Sequence, residues 1–155
     1  MPRNRPGALR ARRGPFDGRR PPEWTRELPP LDRLSPDESA LIHHLLRGRA
    51  PGLAVRLALY RAFLDRPGDR LRPARSTCPA CPGCALDDVA VVRDQLADLY
   101  RGLPPGARSA LGRVLRTLDA EFCRRTLPDP AAVPVGRDRS GRPLPWWHRR
   151  LYEGT

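Results

Sequence analysis

Four cysteines carry the clearest chemistry in this chain. Three stand in one seven-residue run, Cys78-Pro-Ala-Cys81-Pro-Gly-Cys84, and the fourth, Cys123, follows thirty-nine residues later. Thiols at two-residue intervals can turn toward one point. As thiolates they bind soft metals or exchange electrons as disulfides. Nothing in the sequence reads as a secretory leader, because the basic N-terminus has no apolar stretch behind it. A cytoplasmic location is therefore expected, and in a reducing compartment clustered thiols serve as metal ligands or redox groups before structural disulfides.

Helix geometry connects the remote cysteine to the run. A helix beginning near Leu86 and ending at the Gly102–Gly106 turn climbs roughly 22 Å at 1.5 Å per residue. A second helix returning antiparallel from Ala107 descends that height near Glu121–Phe122 and brings Cys123 back to the level of Cys84. Cys78, Cys81, Cys84 and Cys123 together would make a four-thiolate site.

Two metals suit it. Zinc takes four thiolates tetrahedrally, usually from two separated pairs. The Cys-x2-Cys-x2-Cys run resembles the ligand loop of bacterial-type ferredoxins, where a distant cysteine completes a cluster. That resemblance covers seven residues and implies a loop able to hold a [4Fe–4S] cluster. The rest of the ferredoxin pattern is missing, and Arg124 rather than Pro follows Cys123. The expected cofactor is a [4Fe–4S] cluster, with one zinc ion as the alternative, and unligated or redox-active thiols as a third reading. His43 and His44 point about 100° apart on a helix and do not share a small site. His148 is a substitute ligand only if the tail folds over the loop.

These residues need a scaffold, and apolar periodicity supplies an all-α one. Ser35, Pro36 and Glu38 spell a capped helix start before Leu41, Ile42, Leu45 and Leu46. A second helix from Pro51 carries Leu53, Leu57, Tyr60 and Leu64, widened by Val55, Leu59 and Phe63. The third steps through Val89, Val92, Leu96, Leu99 and Leu103, with Asp87 and Asp88 in its first turn. The fourth, Ala107 to Thr126, presents Leu111, Leu115, Leu118 and Phe122, with Arg108, Arg113 and Arg116 on a solvated face. The expected fold is a small four-helix core of antiparallel hairpins over residues 31–127, with the cysteine-rich loop between helices two and three. Residues 1–30 and 128–155 read as extended, largely irregular arms rich in Pro, Gly and Arg, with a short strand edge at Val133 and Val135.

Charge narrows the partners. The 155 residues carry a formal net charge of +12, and all 29 basic residues are arginine. A GC-rich coding sequence accounts for Arg in place of Lys, but not for the excess of base over acid. That excess favours nucleic acid, an acidic protein or another anionic partner. The N-terminal arm, with Arg3, Arg5, Arg10, Arg12, Arg13, Arg19 and Arg20, has the composition of a phosphate-binding extension. At the other end Trp146, Trp147, Arg149, Arg150 and Tyr152 mix rings with charge. They can dock on the body or on a protein partner as anchors, or stack on bases. No apolar run is long enough for a membrane span. No phosphate loop, nucleophile elbow or metalloprotease helix is present, which argues weakly against catalysis. The leading expectation is a metal-binding, nucleic-acid-binding or redox-responsive regulatory protein. The alternative is a metal-stabilised adaptor that engages a protein through its Trp-rich tail.

Overall fold

A computed structural model describes residues 31, 34–46, 50–78, 80–132 and 141–154. The N-terminal arm with its seven arginines, and the strand edge expected at Val133 and Val135, lie outside these residues. Among the described residues the architecture is helical, with four α-helices, two short 3-10 turns and no strand. We number the helices α1 (Pro36–Leu46), α2 (Ala50–Leu64), α3 (Val89–Arg101) and α4 (Pro105–Arg125). The chain divides into two compact units. The first takes residues up to Ala54 together with Leu99–Leu115, and the second takes Val55–Asp98 and everything from Arg116 onward.

In the first unit, α1 begins with the capping box its sequence spells. The Glu38 N–H donates to Ser35 Oγ at 3.2 Å, and the Ser35 N–H returns a bond to Glu38 Oε2 at 3.2 Å. Two donors that the helix start would leave unpaired are thereby satisfied. Leu34, Leu41, Ile42 and Leu46 are buried, as are Leu53, Leu103, Leu111 and Leu115 of this unit. Leu45 departs from the expected stripe and is 38% exposed, because one helix face cannot hold four neighbouring apolar residues. His43 is buried and His44 half-buried, so neither stands in open solvent. Two of the arginines expected on a solvated face of α4 have specific work here. Arg108 donates to the carbonyls of Leu103 and Arg101, at 2.9 Å for each Nη2 bond, and so caps the end of α3. Arg113 pairs with Glu38 at 2.5 Å.

In the second unit the core is Leu57, Tyr60, Phe63, Leu64, Val89, Val92, Leu96, Leu118 and Phe122. Val55, expected to widen the buried face of α2, is instead 51% exposed. That helix is apolar on nearly every side, so periodicity alone does not choose its inner face. The third helix also starts later than its pattern suggests. Cys84–Asp87 form a 3-10 turn, the backbone extends at Asp88, and Asp88 Oδ1 accepts the Ala90 N–H at 2.9 Å. Asp88 is therefore the N-cap of α3 rather than a first-turn acid, and Asp87 belongs to the preceding turn.

Two charged residues sit inside this core. Arg93 donates from Nε and Nη2 to the two oxygens of Asp119, each at 2.8 Å, and Tyr60 donates its hydroxyl to the same carboxylate at 3.0 Å. Burial opposes the charge of Arg93, but the Asp119 carboxylate outweighs it and holds the guanidinium firmly protonated. Burial, then the Asp119 charge, pushes the Tyr60 hydroxyl well above its ordinary range. This triangle ties α2, α3 and α4 within the unit.

Candidate metal and anion site

The cysteine loop folds as a series of tight turns. The Cys81 N–H donates to the Cys78 carbonyl at 3.0 Å, and the Ala85 N–H donates to the Cys81 carbonyl at 2.9 Å. Ser76 braces both ends, since its hydroxyl donates to the Cys84 carbonyl at 2.7 Å and accepts the Cys78 N–H at 3.2 Å. No cysteine is in a disulfide: Cys78 is exposed, and Cys81 and Cys84 are half-buried.

The sulfurs in this loop interact. The Cys84 N–H, then the Cys84 thiol and the Gly83 N–H, bond to the Cys81 sulfur and hold its thiol below the ordinary range. Cys84 moves the other way, because it shares its hydrogen bond with Cys81, is partly buried, and lies near the Asp87 charge. Its sulfur also meets Cys78. A sulfur receiving two backbone N–H groups is prepared to carry negative charge, as a metal-bound thiolate must. Pro82 and Gly83 make that turn with little bulk, and a Cβ at position 83 would lie 3.9 Å from the Cys81 sulfur.

Cys123 lies on the last turn of α4, with its thiol exposed. Among the described residues no group of three or more His, Cys, Asp or Glu side chains stands arranged to hold a metal ion. Tyr152 reaches Asp88, at the start of α3, at 3.2 Å, while Arg150 donates to the Cys123 carbonyl at 2.9 Å. Residues 146–152 thus bridge the cysteine-loop side of α3 and the end of α4.

The tail docks on its own unit, and its details were not readable from the sequence. Trp147 is buried, donates from its indole nitrogen to Asp94 at 2.8 Å, and lies under the Arg93 guanidinium at 4.4 Å. Trp146 sets its edge against Phe122, with ring centroids 5.9 Å apart. His148 Nε2 meets the other Asp94 oxygen at 2.7 Å and so serves as a strut. Burial, then the Asp88 charge, pushes the Tyr152 hydroxyl above its ordinary range, and Asp88 itself is raised by burial. Arg149 is half-buried, and its carbonyl accepts the Asp129 N–H at 3.1 Å.

A second cluster of arginines is gathered around the end of α4. Arg125 donates from Nη1 to the Leu64 carbonyl, and from Nη2 to the carbonyls of Arg66 (2.7 Å) and Gly68. Arg70 donates to the Arg124 carbonyl at 2.8 Å. Leu71 pairs with the chain at Thr126 in a single parallel bridge. Arg66 lies over the Phe63 ring at 5.2 Å and Arg75 over the Tyr152 ring at 4.6 Å. The sequence holds this signal, four arginines from Arg66 to Arg75 in the stretch between helices two and three.

Among the described residues no helix is long and apolar enough to cross a membrane. Comparison with protein-family models finds no match, and neither do comparisons with curated proteins or with solved structures.

Proposed function

We propose that this is a metal-binding basic protein in which Cys78, Cys81, Cys84 and Cys123 hold an iron–sulfur cluster or a zinc ion, and that it acts by binding nucleic acid. The observation that carries the reading is the cysteine loop. Three thiols stand on one tightly turned loop braced by Ser76, and the Cys84 and Gly83 N–H groups beside the Cys81 sulfur hold its thiol below the ordinary range. Those donors offset the cost of a negative sulfur before any metal arrives. Cys78, Cys81 and Cys84 would supply three thiolates from one loop, and Cys123 the fourth after a local rearrangement of the tail contacts. A cluster would supply one-electron chemistry and a zinc ion a structural clamp. With a cluster, oxidation would act on the cysteine loop and so on the start of α3.

The adaptor reading draws less support, because Trp147 and Tyr152 are spent inside their own unit.

The test is purification without oxygen, followed by a visible spectrum and metal analysis. A brown band near ~400 nm with about four irons per chain supports the cluster. A colourless protein with about one zinc supports the clamp. Cys84→Ser should lose the metal in either case. Metal-free protein with four freely titrating thiols overturns the metal reading.

A further inference from the structure

The arginines of residues 66–75 hold a feature that the metal site does not explain. This segment carries four arginines against one acid, Asp69, and all four arginines are exposed. Exposed arginine on a loose loop would be an ordinary solvated surface. Here the loop is fastened from below. Arg125 binds three of the carbonyls at 64–68, the Leu71 N–H donates to the Arg125 carbonyl at 2.6 Å, and the Glu153 N–H donates to the Pro73 carbonyl at 2.9 Å.

Side chains of this set are also held in place. Arg66 lies over Phe63, Arg75 lies over Tyr152, and Arg70 spends one nitrogen on the Arg124 carbonyl. A guanidinium stacked on a buried ring keeps its N–H edge directed outward and has already lost much of its rotamer freedom. Binding an anion there costs less ordering than on a free chain.

From this we infer that residues 66–75 form a preset surface for the phosphate backbone of a nucleic acid. The inference rests on the nucleic-acid reading proposed above and assigns it a surface. Partner chemistry follows from what the face lacks. Its rings lie beneath the arginines, and Leu127 is the one large apolar side chain exposed near it among the described residues. A protein partner would want apolar anchors at the centre of the contact. A phosphate chain wants fixed cations with donor edges, and contacts of this kind carry little sequence information.

The experiment uses the full chain with a labelled DNA duplex of mixed sequence, titrated by fluorescence anisotropy across a salt series. One variant changes Arg66, Arg70, Arg72 and Arg75 together to Gln, and a second changes the seven arginines from Arg3 to Arg20 to Gln. Single variants Arg70→Gln and Arg72→Gln leave the stacked pairs intact and guard against misfolding, which circular dichroism also monitors. The expected result is a fall of about 3 to 4 in the slope of log K against log salt for the four-residue variant, and about 0.9 for each single one. Wild-type binding that survives the loop changes, but not the arm changes, overturns this inference and leaves the nucleic-acid reading standing. Absence of wild-type binding at low salt overturns both.

Discussion

Consider Asp119→Ala. The carboxylate accepts two bonds from Arg93 at 2.8 Å and one from Tyr60 at 3.0 Å, with the two charged side chains only 10% and 19% exposed. Its removal strands a buried guanidinium. Arg93 keeps only the more distant Asp94 charge and the Trp147 ring, and its Nη1 is already buried without a partner in the described structure. Breaking a buried pair from one side costs about 3–5 kcal/mol. That is a large share of the ~5–15 kcal/mol that holds a typical fold. At ~2–4 °C per kcal/mol for a chain of this size, the melting temperature should drop by about 6–20 °C. Urea titration followed by circular dichroism gives the free energy, and a calorimetric scan the midpoint. The double variant Arg93→Met with Asp119→Leu should recover most of the loss, because it removes the stranded charge with its partner. A loss below about 1 kcal/mol for Asp119→Ala would refute the reasoning, since the guanidinium would then be finding water.

Three further effects follow from local geometry. Ser35→Ala should destabilise α1 by about 1 kcal/mol, read as earlier unfolding in urea. At Glu38 burial works against the charge, but the Arg113 pair and the Ser35 N–H outweigh it and hold the carboxyl below its ordinary 4.5. Its contribution is therefore complete above pH 4.5 and is lost as pH falls through the lowered value, a dependence that Glu38→Gln should flatten in acid titrations of stability. Trp147→Ala should cost about 3–5 kcal/mol, because the ring is buried and leaves a cavity between Arg93 and Asp94. Far-UV melts would show it, and a cost near zero would mean that the tail does not dock.

Much of this arrangement was written in local sequence. Ser35 and Glu38 predict their own hydrogen bonds, because a capping box needs only residues three apart. The α3 stripe held from Val89 to Leu103 because polar residues separate its apolar ones. Val55 was misplaced for the opposite reason, since a helix apolar on nearly every side leaves periodicity without contrast. The Arg93–Asp119 pair was missed although a signal existed. Arg93 lies four residues after Val89 and three before Leu96, and Asp119 stands in the same relation to Leu115 and Phe122. A cation and an acid that each occupy the apolar stripe of neighbouring helices invite pairing. The tail could be read as an anchor, but its acceptor Asp94 could not, because a half-exposed acid on α3 looks like any solvated one. Three of the four thiols were legible as a set on one loop. The docking of the tail was not, since it depends on contacts more than fifty residues apart.

The end of α4 has a bearing on how the second unit opens. Helices leave their last carbonyls unpaired, yet here each finds a donor from a distant segment. The Cys123 carbonyl takes Arg150, the Arg124 carbonyl takes Arg70, and the Arg125 carbonyl takes the Leu71 N–H. Next to them the Leu151 N–H donates to the Leu127 carbonyl at 2.9 Å. Three stretches of chain are therefore laced through one helical turn, and none can release its amides to solvent while the others stay closed. In amide exchange the Leu71 and Leu151 protons are expected to open together with the last turn of α4, despite lying in loops. Cys123 sits within that turn, so whatever its sulfur binds would set how often the loop and tail open together.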